Sequence, residues 1–463
     1  MLLVGAFLPP LDFFIVNVAL PSIQSSLNTS GAELQLVISG YAAAYAVFLI
    51  TGGRLGDLFG RRKIFLIGVA GFGLTSVICG LASSPVMLIL GRVLQGLSAA
   101  AMAPQGLASI HALFPEKERA RALGLYGAAV GLAAVAAQAL GGALISADIF
   151  QLEWRVIFLI NLPVVVAVLI FGLPLLPDVR GDSPAPIDRI GVLLCALTLG
   201  LLIVPLVEGR ELDWPWWACA MIIACPVAGA GFCQYEIAYA RRGGVPLISV
   251  ELTRRPGLMS GLTGVLFFYV VSAFFLTFSV YLQAALGMSP LETGLVFLPF
   301  GVGAFIGPLT TPLAIRFFGE RVPAIGMMLE VAGCTLLAAL VADAPGQMPA
   351  QFPLIGAVAL LGFGQGWALP TLVRSVINRA PATGSGMIAG ITNSALQISA
   401  ALGVAVIGGV FFSVAGTSPD PVSFARALVV AMICVGGSLI ASAVLSIVAS
   451  RSSIHAAART APR

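Results

Sequence analysis

Between two long apolar runs, the sequence reads Gly53-Arg-Leu-Gly-Asp57-Leu-Phe-Gly60-Arg61-Arg62-Lys63. One apolar run, residues 34–51, precedes this segment, and the other, residues 64–82, follows it. One acid and four bases within eleven residues are unusual in a chain of which only 10% of the residues are charged. The simplest interpretation is a solvated turn between two membrane helices. A second interpretation is that Asp57 and the arginines form a latch that moves.

The overall composition is that of a membrane protein. Hydrophobic residues make up 59% of the 463 residues, far above the usual share in a soluble globular domain. Several apolar runs of about twenty residues are long enough to cross a hydrocarbon layer of roughly 30 Å as helices. With 53 glycines and 29 prolines, these helices are expected to be interrupted and closely packed. The sequence therefore predicts an all-α integral membrane protein.

The apolar runs divide into fourteen candidate transmembrane helices. The first begins without a charged segment or a small-residue cleavage site, so no cleaved signal peptide is expected. The approximate boundaries are 1–22, 34–54, 64–83, 86–110, 119–145, 155–176, 189–208, 214–234, 257–283, 290–315, 322–342, 351–376, 384–414 and 425–449.

The basic residues are distributed unevenly between the loops on the two sides of these spans. Loops after the even-numbered spans, together with the C-terminal tail, contain 20 of the 24 Lys and Arg residues, whereas the opposite loops contain three. Lys and Arg stay preferentially on the cytoplasmic side of a membrane. We therefore expect a multi-pass protein of the plasma (inner) membrane with both termini in the cytoplasm.

Two weak internal repeats relate span n to span n+8. Leu94-Gln95-Gly96 with Pro104 is similar to Gly364-Gln365-Gly366 with Pro370, and the segment 313–321 is a degenerate copy of the charged turn without its aspartate. Internal repeats are common in secondary transporters, with the substrate site between the repeats. The predicted organisation is an N-terminal six-helix half (1–176), a linker region with two inserted helices (177–256), a C-terminal six-helix half (257–449) and a cytoplasmic tail (450–463).

In the charged turn and in several further segments, the chain resembles the major facilitator superfamily, and specifically its fourteen-helix drug:proton antiporter branch. The resemblance covers nearly the whole chain, and the charged turn is its most specific motif. Further matching segments are Leu11-Asp12 through Asn17 to Pro21, Gly91-Arg92-Val-Leu-Gln95-Gly96, Trp154-Arg155 through Asn161 to Pro163, Tyr281-Leu-Gln283, Leu286-Gly-Met-Ser289, and Gly390 through Asn393 to Gln397.

One segment departs from the pattern of that branch. Its fifth helix normally carries a Gly-Pro pair before a Gly-Gly pair, but here Ala137-Gln138 precedes Gly141-Gly142. The fifth helix is expected to bend less, because the proline kink is lost. This departure weakens the case for antiport without affecting the predicted major facilitator fold.

The resemblance implies roles for two groups of residues. It implies that Arg92 acts in coupling. It also implies that Asp57 holds the cytoplasmic ends of the two halves together in one state and then releases them. The predicted conformational latch consists of Gly53, Asp57, Gly60, Arg61 and Arg62.

Three ionisable residues lie well inside apolar spans, namely Asp12, Arg92 and Glu330. A charge at the centre of a membrane helix costs about 2.5–3.5 kcal/mol on insertion scales, so each is a candidate for proton coupling or transport. The alternative is that they pair with one another or with polar neighbours and only stabilise packing. We hypothesise that Asp12 and Arg92 face the central cavity and that protonation of Asp12 competes with substrate.

Several uncharged polar residues in the spans are candidates for lining the substrate cavity. Amide side chains also hold membrane helices together, with contributions of about 0.6–2 kcal/mol each, so that role is equally open. The candidates are Asn17, Gln95, Gln138, Gln283, Gln365, Asn393 and Gln397.

Enzyme chemistry is not predicted. The chain has two histidines, no nucleophile–base pattern and no P-loop, and its seven cysteines show no metal-like spacing, so neither a metal nor a cofactor is expected. The net charge of +4 is too small to indicate a nucleic-acid partner. The expected partners are a small-molecule substrate, protons and the lipid bilayer. The sequence does not indicate whether accessory efflux proteins take part.

The sequence thus predicts a secondary active transporter that exports a small amphipathic compound, a drug or metabolite, by proton antiport and alternating access. A proton-independent facilitator or exchanger of a small metabolite is the first alternative, favoured by Ala137-Gln138. A non-transporting membrane sensor or scaffold is the second alternative.

Overall fold

The computed structural model describes residues 1, 3–113, 116–177, 188–212, 214–244, 246–247, 257–379, 385–416 and 420–460. These residues are almost entirely helical. In chain order the α-helices are α1 (Val4–Leu27), α2 (Gly31–Phe59), α3 (Arg61–Gly80), α4 (Pro85–Leu113), α5 (Glu116–Ser146), α6 (Val156–Leu159), α7 (Asn161–Leu175), α8 (Arg189–Glu211), α9 (Trp216–Arg241), α10 (Leu258–Phe268), α11 (Ala273–Val280), α12 (Pro290–Phe318), α13 (Val322–Asp343), α14 (Gln351–Ile377), α15 (Ser385–Ala415) and α16 (Pro421–Thr460).

The number of membrane-spanning helices differs from the prediction. Within the described ranges, twelve helical stretches are long and apolar enough to cross a membrane, so the predicted fourteen are not supported. The predicted spans 290–315 and 322–342 form one stretch, Pro290–Asp343, in which a 3-10 turn joins α12 to α13. The predicted span 119–145 lies within α5, Glu116–Ser146, whose side chains are described only in part. The apolar pattern separates these two spans at the charges of residues 316–321, where the structure has a 3-10 turn and Gly319 has φ 59°.

The chain divides into two compact units. The first comprises Met1–Leu247 with Met288–Leu295, and the second comprises Ile248–Gly287 with Val296–Arg463. Helices α8 and α9 therefore group with the first unit. The boundaries at residues 176 and 256, drawn from the internal repeats, remain a prediction.

In the first unit, α2 and α4 pack closely along two glycines of α2. A Cβ atom at Gly52 would lie 2.0 Å from the carbonyl oxygen of Ala100, and one at Gly56 would lie 1.9 Å from the side-chain oxygen of Gln105. The amide nitrogen of Gln105 donates a hydrogen bond to the Gly52 carbonyl over 2.7 Å. Small residues four positions apart let membrane helices approach until their backbones touch. This contact places α4 against the N-terminal side of the charged turn.

In the second unit, aromatic side chains of α11 and α12 form a stacked cluster. The rings of Phe274 and Phe278 stack at 5.3 Å, and Phe275 packs edge-on against Phe300 at 4.9 Å. Such pairs stabilise a packed core beyond their buried area. By contrast, 43% of Phe267 is exposed. The predicted span 257–283 therefore has both core-facing and outward-facing rings.

Candidate functional site: a buried ion pair and a charged turn

Two of the three membrane-embedded ionisable residues meet in the first unit. Asp12 on α1 and Arg92 on α4 form an ion pair, and neither side chain has any solvent exposure. They are eighty residues apart in sequence, so the packing of α1 against α4 brings them together. Asp12 and Arg92 therefore pair with each other, as one of the two interpretations of the sequence expected. This pairing is compatible with a role in transport.

The Asp12 carboxylate accepts hydrogen bonds at both oxygens. Its Oδ2 accepts from Nη1 of Arg92, and its Oδ1 accepts from Gln95 and from Asn161, each over 3.0 Å. Ser76 on α3 connects the two amides, because its hydroxyl oxygen accepts from Gln95 over 2.9 Å and from Asn161 over 3.2 Å. We call Asp12, Arg92, Gln95, Ser76 and Asn161 the charge centre. Four helices, α1, α3, α4 and α7, contribute to it.

The Arg92 guanidinium is held on its other sides by α2. Its Nε donates to the carbonyl of Val37 over 3.1 Å, and its central carbon lies 4.2 Å from the ring centroid of Tyr41. The Tyr41 hydroxyl donates in turn to the carbonyl of Pro9 over 3.2 Å. A cation over an aromatic face is attracted by the ring quadrupole, more strongly where water is excluded. Among the described atoms, Nη2 of Arg92 is buried without a hydrogen-bond partner.

This geometry makes the charge centre sensitive to the protonation of Asp12. Two fully buried charges compensate each other only while both are present. A proton on Asp12 would neutralise the carboxylate, turn one acceptor oxygen into a donor and leave a buried arginine unpaired. Proton occupancy would therefore alter the attachment of α1 to α4. The residue pattern identified Asp12, Arg92 and Gln95; Asn161 was visible only within the quoted sixth-helix motif, and no sequence signal marked Ser76.

The third embedded ionisable residue, Glu330, lies alone in the second unit. It sits on α13, fully buried, and within the described part of the chain neither of its carboxylate oxygens has a hydrogen-bond partner. Its side chain packs on the backbone of α14, where a Cβ at Gly364 would lie 2.8 Å from its Cγ. A carboxylate buried without donors costs several kcal/mol, so no described donor would compensate a charge on Glu330.

Two of the polar cavity candidates bond to the backbone of α1. Asn17 donates to the carbonyls of Phe13 and Phe14 over 3.2 and 3.1 Å, and Gln138 on α5 donates to Phe14 over 3.1 Å. Both side chains are buried. The Gln138 contact joins α5 to α1, whereas these two contacts of Asn17 lie within α1 itself. Helix α5 runs without interruption through Ala137 and Gln138.

The remaining polar candidates lie in the second unit and differ in exposure. Gln283 is half-buried and donates to the Ser279 hydroxyl over 3.1 Å. Gln365 and Gln397 are half-buried, and Asn393 is exposed. The charge centre thus includes only Gln95 from the set of cavity candidates.

The charged turn joins α2 to α3. Gly60 has φ 98°, a left-handed value that favours glycine, and it separates the two helices. Across the turn, Nη2 of Arg61 lies 3.0 Å from Oδ1 of Asp57, and Nη1 of Arg61 donates to the carbonyl of Ala108 over 2.8 Å. Arg62 donates to the carbonyl of Leu173. The turn therefore links α2, α3, α4 and α7 within the first unit; its role as a moving latch remains a prediction.

The family follows from comparison of the whole chain. The model of the Major Facilitator Superfamily matches residues 2–404. The chain belongs to the major facilitator superfamily. It is therefore a multi-pass membrane transporter rather than an enzyme, and the predicted family is confirmed.

Relatives of this major facilitator protein are named for the transport of, export of or resistance to particular compounds. The chain is 36% identical to a probable actinorhodin transporter of Streptomyces coelicolor, with 88% of this chain and 71% of the relative covered. It is 34% identical to a tetracenomycin C resistance and export protein of Streptomyces glaucescens, with 88% and 74% covered. It is 35% identical to a puromycin resistance protein of Streptomyces alboniger, with 88% and 80% covered.

Solved structures show the same fold at low identity. A bacterial homologue of the human lysosomal transporter Spinster superposes with a TM-score of 0.71 at 19% identity, covering 98% of this chain and 96% of that chain. A proton-dependent oligopeptide transporter superposes with a TM-score of 0.68 at 12% identity, covering 98% of each chain. At these identities the likeness concerns the fold alone.

Proposed function

We propose that this transporter exports a small amphipathic compound of the antibiotic type, by proton antiport and alternating access. The observation that carries the proposal is the fully buried Asp12–Arg92 pair, a protonatable carboxylate on α1 that accepts hydrogen bonds from α4 and α7. The names of the relatives support export and the substrate class. Intramembrane ionisable residues mark ion and proton pathways in transporters, because their burial is otherwise unfavourable.

In this proposal, Asp12 is the coupling residue. Its deprotonated state is stabilised by Arg92, Gln95 and Asn161, which keeps α1 bound to α4. Protonation weakens those bonds and releases the guanidinium, so the two protonation states favour different helix packing. A substrate that is bound preferentially in one of these states is thereby coupled to the proton.

Proton-independent exchange or facilitation remains the competing function. It is favoured by Gln138, which stands where the antiporter signature has proline and which ties α5 to α1. The test is reconstitution in vesicles that contain a pH-sensitive dye, with puromycin as the first compound, followed by a panel chosen from a growth-inhibition screen. Compound-dependent proton flux supports antiport, and pH-independent uptake contradicts it.

We propose residence in the plasma membrane with both termini in the cytoplasm, on the basis of the 20-to-3 distribution of Lys and Arg. The orientation is tested by attaching a membrane-impermeant label to single cysteines introduced at Glu153 and at Arg379, in a variant without native cysteines. Opposite accessibility from outside intact cells is expected, with Glu153 labelled. Labelling of Arg379 instead would reverse the assignment.

Glu330→Gln is expected to reduce proton-coupled transport while leaving stability unchanged or raised. The amide keeps the volume of the side chain and removes the possibility of a buried charge that no donor compensates. Melting temperature and compound-dependent proton flux are measured on the same preparation. Glu320→Gln, which changes an exposed carboxylate of the same unit, is the matched control. Full flux in Glu330→Gln would remove Glu330 from the coupling mechanism.

Asp57→Asn is expected to fold normally and to transport more slowly. The Asp57–Arg61 pair is partly exposed, so its loss should change the free energy of unfolding by no more than about 0.5 kcal/mol. A latch that needs the charge would nevertheless be impaired. Initial export rates are compared with those of Glu118→Gln, an exposed carboxylate on α5. Equal rates in both variants would reduce the charged turn to a connection between helices.

A further inference from the structure

Two arginines at the C-terminal end of α9 carry charge that no described residue compensates. Arg241 and Arg242 are exposed, and neither guanidinium forms an ion pair or a hydrogen bond with another residue in the described part of the chain. Two acids of the same region, Asp188 and Glu236, are each only 2% exposed and interact electrostatically with Arg54 on α2. The end of α9 therefore presents two positive charges on the surface.

The carbonyl groups at the end of α9 do not use these side chains. Arginine near a helix C-terminus can donate to the last carbonyls of the helix. Here the backbone N–H of Gly243 donates to Ala240 over 3.0 Å, and that of Gly244 donates to Tyr239 over 3.0 Å. Gly243 has φ 82°, in the left-handed region that favours glycine, so the chain turns back over the helix. Both guanidinium groups are thus available to a ligand.

Two surface cavities flank this end of α9 and share Arg242. One, of about 480 Å³, lies between α8 and α9, and its lining includes Ile190, Tyr239 and Arg242. The other, of about 370 Å³, has Ile237, Arg241 and Arg242 in its lining. Both volumes fall within the range of small-ligand sites, roughly 300–1,000 Å³. Each cavity combines a guanidinium with apolar walls, which suits a ligand that has an anionic group next to a hydrocarbon portion.

Stacked aromatic rings form one wall of the larger cavity. The rings of Tyr235 and Tyr239 are 5.7 Å apart and nearly parallel, at 11°. A Cβ atom at Gly244 would lie 2.5 Å from the Tyr239 ring, so the returning chain packs directly on that ring. The Tyr235 hydroxyl donates to Oδ1 of Asp188 over 2.7 Å. These contacts hold both rings in place, so the shape of this wall does not depend on a ligand.

The length of α9 places its C-terminal end at the level of lipid head groups. The helix has 26 residues, which extend about 39 Å at a rise of about 1.5 Å per residue. A bilayer with its head groups is about 40–45 Å thick. Trp216, which is 82% exposed, begins α9 and is typical of one membrane interface, so Arg241 lies at the opposite interface. Between them, Ile223 and Val227 are each 72% exposed and present an apolar surface to lipid.

We propose that the end of α9 binds the head group of an anionic phospholipid. The phosphate pairs with Arg241 and Arg242, and the glycerol and first acyl carbons occupy the apolar parts of the two cavities. Basic pockets between membrane helices bind acidic head groups, and the planar guanidinium fork matches phosphate oxygens. A soluble phosphate ion would leave the apolar walls unoccupied, which favours the lipid. The site is separate from the charge centre and rests on no assumption about the transported compound.

The first test is native mass spectrometry of the full-length protein in detergent, titrated with phosphatidylglycerol. Each basic side chain near an anionic head group contributes about a factor of five in affinity, so Arg241→Gln with Arg242→Gln should weaken binding about 25-fold. The matched control is Arg316→Gln with Arg321→Gln, which removes two exposed arginines of the second unit and should keep wild-type affinity. Equal weakening in the two double variants would show a dependence on net charge alone and would overturn the proposal.

A second pair of variants tests the cavity without changing charge. Ile190→Trp fills part of the larger cavity from a position that is 56% exposed, and it should abolish phosphatidylglycerol binding there. Leu193→Trp introduces the same side chain at an exposed position of α8 that lines neither cavity, and it should bind as wild type does. Wild-type affinity in Ile190→Trp would contradict the assignment of the lipid to this cavity.

The ligand itself is varied to separate a lipid from a soluble phosphate compound. Phosphatidylcholine lacks the net negative charge, and glycerophosphoglycerol is the phosphatidylglycerol head group without acyl chains. Both should bind more weakly than phosphatidylglycerol, by about fivefold or more. If glycerophosphoglycerol binds as tightly as phosphatidylglycerol, the site takes a soluble phosphate compound and the lipid assignment is wrong. If phosphatidylcholine binds as tightly, the two arginines do not select an anionic head group, and the proposal is likewise wrong.

Discussion

Replacement of Asp12 by asparagine is expected to abolish compound-dependent proton flux, reducing it to the level of protein-free vesicles. The asparagine amide does not bind and release a proton as a carboxyl group does. Its oxygen still accepts hydrogen bonds from Gln95 and Asn161. The change therefore removes the titration of the site while it preserves much of the local bonding. Flux is measured in dye-loaded vesicles, and Glu153→Gln, an exposed carboxylate of the same unit, is the control.

The same variant should lose stability for a separate reason. With Asp12 neutral, Arg92 remains as a buried charge without a counter-ion, and breaking a buried pair in this way costs about 3–5 kcal/mol. Removing both charges in Asp12→Asn with Arg92→Gln should recover part of that loss, although transport stays absent. Additive losses in the double variant would show that the two residues are not coupled. Wild-type flux in Asp12→Asn would exclude Asp12 as the coupling residue.

The second large effect is expected from an added methyl group at Gly52. The Cβ of alanine would lie 2.0 Å from the Ala100 carbonyl oxygen, so α2 and α4 would have to separate. Overpacking of this kind is expected to cost about 3 kcal/mol, and the lost Gln105 hydrogen bond to Gly52 would add to it. The measurement is the thermal unfolding midpoint of the purified protein.

The neighbouring glycine provides a matched control. At Gly53 the nearest heavy atom to an added Cβ is 3.8 Å away, an ordinary van der Waals distance. Gly53→Ala should therefore unfold at the wild-type temperature or slightly above it, because alanine favours the helix. Equal unfolding midpoints for the two alanine variants would contradict the close approach of α2 to α4. A transport defect confined to Gly53→Ala would instead favour its place in the latch.

The outcome for the embedded charges shows where sequence reasoning was sufficient. Charge in an apolar span is a local property, so Asp12, Arg92 and Glu330 could be identified without coordinates. Their partners could not, because pairing depends on which helix faces meet. Asp12 and Arg92 form one site, whereas Glu330 is isolated in the other unit. The predicted count of fourteen spans is not supported, because the structure describes twelve helical stretches long and apolar enough to cross a membrane.

The charged turn between α2 and α3 also has features that the sequence shows and contacts that only the packed structure shows. The sequence by itself determined that this is a membrane protein of the major facilitator superfamily, because composition and short motifs follow from local residue chemistry. It also located the turn and the glycine that the turn requires at residue 60. Only the tertiary structure decided that Gly52 and Gly56, rather than Gly53, carry the contact with α4, and that Arg54 faces Asp188 and Glu236. Such contacts join residues remote in sequence, and their energies depend on distances and burial that arise only when the helices pack.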